Sequence, residues 1–131
     1  MAKHIGIDYG TSQVGIAVSD DRGAVGFPRD TYRNDRMLVP RIRDLVRAEN
    51  ASVIVIGESK DKDGKDNPVM AGARMLAEEL EKDLAVAVVF EPEYYSSVEA
   101  RRTGGTSFID AEAASIILNR YLERHHGDID R

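Results

Sequence analysis

Three acidic residues have the type and setting for metal-assisted chemistry. Asp8 ends the apolar run Ile5-Gly6-Ile7 just ahead of Tyr9-Gly10, Glu93 follows the run Leu84 to Phe90, and Asp110 stands three residues after Ser107 where a helical pattern begins. Each also has an ordinary structural use: Asp8 as a partner for turn backbone, Glu93 as a surface carboxylate, Asp110 as the fourth residue of a capping box. Taken together they form an oxygen-only donor set, which suits Mg²⁺ or Mn²⁺. Two such ions about 4 Å apart activate water and stabilise a leaving oxyanion. The bond broken would be a phosphodiester. Asp8 and Glu93 are 85 positions apart, so only a fold can bring them together.

Composition removes the competing chemistries. The absence of cysteine excludes disulfides, thiol catalysis and thiolate zinc sites, and fits a reducing compartment. The histidines are His4, His125 and His126, and the adjacent pair near a polar terminus reads as solvated tail, not as a ligand pair. No apolar run approaches the roughly 18 residues of a membrane span. Met1-Ala2-Lys3 leads into a strand-like segment and not a signal peptide, so the expectation is a cytoplasmic protein without membrane contact.

To position the acids, 131 residues with 42% hydrophobic content supply one domain. Residues 4–10 and 13–19 are short β-branched runs around Gly10-Thr11-Ser12, a hairpin pattern. Ala24 to Pro28 adds a third antiparallel strand that Pro28 ends or places at an edge. From Asn34 onward Leu38, Ile42, Leu45 and Val46 recur at helical spacing among arginines. Pro40 fits there either by a helix start near Val39 or by a first turn, capped by Asn34 or Asp35, that Pro40 bends. Ser52 to Gly57 reads as a buried parallel strand, and Lys60 to Asn67 as a charged loop. Pro68 opens a helix with Met70, Ala73, Leu76, Ala77 and Leu80 on one face. Leu84 to Phe90 is a second buried strand, ended by Glu91-Pro92. A short helix from Ser96 or Ser97 through Arg102 and a Thr103–Thr106 joint follow. The last helix runs from Phe108 to Arg124, with Ile109, Ala113, Ile116, Ile117 and Tyr121 inward. The order β-β-β-α-β-α-β-α-α implies an α/β fold: a mixed five-stranded sheet, an antiparallel three-strand meander plus two parallel strands, flanked by helices. Residues 1–124 form the domain and 125–131 a polar tail.

Ile7-Asp8-Tyr9-Gly10-Thr11 with Val14-Gly15-Ile16-Ala17-Val18-Ser19-Asp20 resembles the opening motif of the YqgF/RuvX family, described as Holliday junction resolvases and as pre-16S rRNA nucleases. Val53 to Gly57 with Asp63-Gly64, Glu93 with Ser96-Ser97-Val98-Glu99-Ala100, and Asp110 to Leu118 with Tyr121-Leu122 resemble its later segments, so the likeness spans nearly the whole chain. The resemblance implies a ribonuclease H-like fold, with Asp8, Glu93 and Asp110 on the three metal-binding, catalytic acids. It also implies a nucleic-acid substrate, structured RNA or branched DNA. Departures fall where substrate would bind: Gln13 stands for an arginine, Pro92 and Tyr94 replace the Asp and Arg flanking the family's acid, and Glu58-Ser59 replace an apolar-Pro pair.

Arg41, Arg43, Arg47, Arg101 and Arg102 read as phosphate contacts or as solvated helix faces. Tyr94 stacks on bases or packs, and Ser96 and Ser97 contact phosphate or cap a helix. The expectation is a Mg²⁺- or Mn²⁺-dependent endonuclease with two ions, processing the 5′ end of pre-16S rRNA or resolving junctions. The alternative is a ribonuclease H-like binding module for nucleic acid or protein that has lost turnover. An actin-like ATPase is disfavoured because that architecture needs two such domains. Paired incisions on a junction would require a homodimer. The net charge of −5 argues against coating nucleic acid by bulk charge. The deficit lies in residues 58–93, with 5 basic and 10 acidic groups, whereas residues 29–47 carry 6 basic and 3 acidic.

Overall fold

The computed structural model describes residues 3–93 and 107–129, leaving aside the side chains of 93, 107–109 and 126–129. Its elements are β1 (Lys3–Asp8), β2 (Gln13–Ser19), β3 (Gly26–Arg33), α1 (Leu38–Glu49), β4 (Ala51–Ser59), α2 (Met70–Asp83), β5 (Ala87–Glu93) and α3 (Ser107–Ile129). The sheet order is β3-β2-β1-β4-β5. β1 and β2 pair antiparallel, as do β2 and β3, whereas β4 runs parallel to both β1 and β5. This is the mixed five-stranded sheet expected from the chain.

Strand periodicity divides the core in two. Ile5, Ile7, Val14, Ile16, Val18, Ile54 and Ile56 face α1 and α2. Ala17 and Val55 face α3, packing with Ala114, Ile117, Leu118 and Leu122. Each fully buried Ile or Leu contributes roughly 1.5–3 kcal/mol, so the first layer carries most of the stabilisation. All five apolar positions anticipated on α2 are buried. Asn50 ends α1 in the left-handed region (φ 53), which Asn tolerates, and β4 begins one residue later.

Several boundaries differ from the sequence reading. β3 continues through Pro28 to Arg33: it is an edge strand, and its register shifts opposite Ile16 and Ala17, so the missing N–H of Pro28 is tolerated. β5 likewise continues through Pro92, which pairs with Glu58, and as the other edge it is half-exposed instead of buried. α1 starts at Leu38, putting Pro40 in the first turn, where no intrahelical N–H bond is lost. The turn before it is held by Asp35, whose Oδ1 accepts from the Met37 N–H at 2.9 Å. α2 starts at Met70, with Pro68 in the preceding turn, where its carbonyl accepts from the Ala71 N–H.

α3 runs past Arg124 to Ile129, and His125 stacks on Tyr121 with ring centroids 4.2 Å apart. Its inward face is Ala111, Ala114, Leu118 and Leu122 together with Ala113 and Ile117; Ile116 and Tyr121 are only half-buried. The cause lies on the strands. A Cβ on Gly6 would come within 2.7 Å of Leu118 Cβ, and one on Gly26 within 2.6 Å of Leu118 Cδ2, so glycines on β1 and β3 receive that residue. The short helix expected from Ser96 or Ser97 to Arg102, and the Thr103–Thr106 joint, lie outside the described residues. No helix among the described residues is long and apolar enough to cross a membrane.

Candidate active site

Asp8 is the last residue of β1, at the carboxyl edge shared by the parallel strands β1, β4 and β5. Alternation along β1 sends Ile5 and Ile7 toward α1 and α2, and Gly6 and Asp8 toward the α3 face. Asp8 is 3% exposed. Its partner across the hairpin is Gly15. A Cβ on Gly15 would overlap the carbonyl of Asp110, so the first turn of α3 lies directly on that glycine. Asp8 and Asp110 are thus joined through a single residue that lacks a side chain. An acid in the first turn of a helix is also favoured by the helix dipole.

Glu93 is the last residue of β5, in register with Ser59 on β4. Ile7 pairs with Ile56 and Ile56 with Phe90, so Glu93 belongs to the same carboxyl edge as Asp8 but lies further along it. β4 stands between their strands, a lateral separation of about 10 Å between backbones. The residue on β5 nearest the level of Asp8 is Glu91, an acid the sequence pattern did not single out. Glu91 is 3% exposed, and its Oε1 accepts from Arg124 Nη2 at 2.8 Å, so its charge is already met within the fold. The i, i+2 spacing of Glu91 and Glu93 was its only signal.

The anticipated arginines lie elsewhere. Arg41, Arg43 and Arg47 are on α1, across the sheet from Asp110. Arg41 pairs with Asp35 at 3.2 Å and Arg43 with Asp83 at 2.6 Å. Arg47 is exposed near the end of α1 that Glu49 ties to Lys3, at the start of β1 and so away from Asp8. Tyr94, Ser96, Ser97, Arg101 and Arg102 lie outside the described residues.

Beside the edge, the Lys60–Asn67 loop is closed by ion pairs. Arg74 Nη2 reaches Glu58 at 3.1 Å and Asp66 at 3.0 Å, and Lys60 reaches Asp66 at 2.8 Å. These cations hold the Asp66 carboxyl below the usual range, Lys60 first and Arg74 second. The Glu58 that departs from the family pattern is therefore a structural acid on the α2 side.

Among the described residues no three Asp, Glu or His side chains gather as a metal cluster. The fit to a divalent cation rests on donor chemistry. Asp8 is a carboxylate almost wholly withdrawn from water, the backbone of a second acid, Asp110, packs on the glycine that pairs with Asp8, and a hard cation takes carboxylate oxygens as ligands.

The sequence matches the RuvX family, described as Holliday junction resolvase, over residues 2–124. The chain belongs to that family. RuvX relatives named "Putative pre-16S rRNA nuclease" include one from Nitratidesulfovibrio vulgaris, 33% identical with 92% of each chain covered. Another, from Pediococcus pentosaceus, is 32% identical with 97% of each covered. RuvX is thus a family of nucleases, hydrolases of phosphodiester bonds. Among solved structures the chain resembles T. thermophilus RuvC in complex with Holliday junction substrate, with a TM-score of 0.63, 11% identity and 97% of each chain covered. It also resembles the fowlpox virus Holliday junction resolvase, with a TM-score of 0.57, 14% identity, and 93% of this chain and 99% of that one covered. At such identities the likeness establishes the fold, which is ribonuclease H-like.

Proposed function

We propose that this RuvX member is a metal-dependent endonuclease acting on structured nucleic acid, either precursor 16S rRNA or branched DNA, with Asp8, Glu93 and Asp110 as its catalytic acids. The observation that carries the reading is the packing of the Asp110 backbone on Gly15, the residue that pairs with Asp8 across the hairpin. It supports a site of two acids on two rigid elements, a strand end and a helix start, which holds reacting groups more accurately than loops do.

Asp8, Asp110 and Glu93 would hold Mg²⁺ or Mn²⁺, two ions in the full site. When bound, such ions supply Lewis-acid stabilisation of the phosphoryl oxygens and make water a better nucleophile. Hydrolysis adds the water oxygen to phosphorus while the bridging P–O bond breaks. The electron pair leaves with the nucleoside oxygen, and a proton from water ends there or in solvent. The chain's part is positional: the β1–β2 ladder fixes Asp8, and the packing of α3 on Gly15 fixes Asp110. Tyr94, Ser96, Ser97, Arg101 and Arg102 follow Glu93 in sequence and would be the substrate contacts. Arg41, Arg43 and Arg47, across the sheet, would act only on parts of a substrate that wrap past the edge.

Cleavage of four-way junction DNA and of precursor 16S rRNA, measured side by side with Mg²⁺, with Mn²⁺ and with EDTA, tests this reading. Metal-dependent incision of one substrate supports it, and binding of both without incision in any metal would favour the binding-module alternative. Symmetric junction cleavage would take two copies of the chain, whereas a single rRNA cut takes one.

A further inference from the structure

One row of residues crosses the whole sheet at its carboxyl edge. Thr31 on β3 pairs with Gly15, Gly15 with Asp8, and Gly57, next after the Ile56 that pairs with Ile7, pairs with Glu91 on β5. Asp8 stands at the middle of this row, and an arginine stands at each end of it. At the β3 end, Arg33 follows Thr31 by two residues and pairs in register with the uncharged Gln13. Tyr32 packs into the layer of α1 and α2, so alternation turns Arg33 to the opposite face, the one that carries Asp8 and α3. Arg33 is exposed, and among the described residues its side chain has no ion-pair or hydrogen-bond partner.

At the β5 end, Glu91 lies two residues after Val89, which packs in the α3 layer, and accepts from Arg124 on α3. The pair is lopsided: the Glu91 side chain is 4% exposed and that of Arg124 57%. A buried carboxylate thus fixes Nη2 at 2.8 Å, and among the described residues no other acceptor takes the remaining donors of the guanidinium fork. Lys60 and Arg74, beside the edge, are by contrast engaged with Asp66 and Glu58. Neighbouring strands lie about 4.8 Å apart, so Arg33 and the docking point of Arg124 stand about 10 Å to either side of Asp8, measured across the strands. Phosphates follow one another about every 3.4 Å along one strand of a duplex, so the interval between the two arginines takes several.

We propose that Arg33 and Arg124 hold two phosphates of the substrate strand, one on each side of the phosphate brought to Asp8, and that Glu91 is the positioning residue for Arg124. A planar guanidinium matches phosphate oxygens in pairs, and one already held by a carboxylate has less freedom to lose on binding. The proposal deepens the nuclease reading, on which it rests: a strand held in this way runs along the row and lays the scissile bond over the acids.

Binding at graded salt tests this. Fluorescently labelled four-way junction DNA and a precursor 16S rRNA fragment are titrated with the full-length chain, in EDTA and in Ca²⁺, and the logarithm of the binding constant is plotted against that of the salt concentration. Each neutralised phosphate contributes about 0.9 to the slope on duplex and about 0.7 on single strands. Arg33→Gln and Arg124→Gln are each expected to lower the slope by that amount, and affinity at low salt by about tenfold, with the two slope losses adding in the double variant. Arg22→Gln is the control: it removes the same charge from the exposed turn between β2 and β3, at the far end of the sheet, and should keep the parent's slope. A variant that is merely less stable, once shown to be folded at the assay temperature, keeps that slope too. Glu91→Ala removes a negative charge, which by bulk charge alone would tighten binding, yet loss of the anchor should loosen it severalfold. Glu91→Gln keeps an acceptor for Arg124 and should bind like the parent. An unchanged slope in either arginine variant strikes that residue, and in both it overturns the proposal, as does a parent that binds neither probe at low salt. Tighter binding by Glu91→Ala overturns the role of Glu91. Should the slopes fall while Asp8→Asn cleaves like the parent, the nuclease assignment fails and the arginines stand as a binding surface. The converse pattern removes the arginines and leaves the nuclease.

Discussion

The carbonyl of Asp110 occupies the space in which Gly15 would carry a side chain. Because Gly15 is also the cross-strand partner of Asp8, this one contact sets the relation between the two acids. Gly15→Ala must push the first turn of α3 off β2, and no rotamer change relieves an overlap with backbone. The expected loss is about 3 kcal/mol or more, roughly 10 °C in Tm, with activity falling further than stability alone explains. Gly64→Ala is the comparison: Gly64 has φ +83 with no atom near its missing Cβ, so only backbone strain of about 1 kcal/mol is added. Thermal unfolding of the two variants would show equal losses if the Gly15 contact were unimportant.

Arg124→Ala leaves the Glu91 carboxylate buried without the guanidinium that meets it at 2.8 Å. Since Arg124 itself is 57% exposed, the cost is that of an unmatched buried acceptor and not of a wholly buried pair, about 1–3 kcal/mol by urea denaturation. Adding Glu91→Gln should recover a large part of it. A double variant no more stable than Arg124→Ala would mean that charge is not what Arg124 supplies.

The Glu49 carboxyl is held below its usual range, by Lys3 at 2.6 Å first and by Arg29 at 2.7 Å second. A depressed carboxylate contributes stability that is fully present above the unfolded-state value, near pH 4.3, and is lost as pH falls through the lower folded value. Glu49→Gln should therefore be less stable than the parent at neutral pH by about 0.5–1 kcal/mol, the scale of a partly exposed ion pair. The difference should vanish under strongly acidic conditions. A gap that persists unchanged at about pH 2 would assign the loss to packing instead.

Much of this fold could be read from residue patterns. Ile5 and Ile7, then Val14, Ile16 and Val18, give the hairpin, and the five apolar residues of α2 give its buried face. What escaped was set by partners distant in sequence. Pro28 and Pro92 look like strand ends until their strands are known to be edges. The inward face of α3 follows the glycines of β1, β2 and β3, which leave room for Leu118 and the Asp110 backbone, more than its own largest apolar residues. For the site, residue type pointed to Asp8 and Asp110, but the approach of the Asp110 backbone to the strand partner of Asp8 depends on Gly15. The arginines of α1 suit a phosphate-binding face by composition, yet packing puts them across the sheet and turns Arg41 and Arg43 toward acids of the fold.

Asp8 and Asp110 should share a divalent cation. Titrating Mn²⁺ into the parent by calorimetry should give saturable binding, weakened at least tenfold in Asp110→Asn on the scale of a lost ligand. Unchanged affinity in that variant would remove Asp110 from the metal site, whatever the activity shows.

The most direct test of the nuclease assignment is the cleavage rate of Asp8→Asn beside the parent, on precursor 16S rRNA and on junction DNA with Mn²⁺, both proteins first shown to be equally folded. The substitution keeps the side chain's size while removing its charge and turning one accepting oxygen into an NH₂ donor. The rate of Asp8→Asn is expected to be lowered by about a thousandfold or more on whichever substrate the parent cuts, the scale of losing a principal electrostatic group. Equal rates for the two proteins would contradict it.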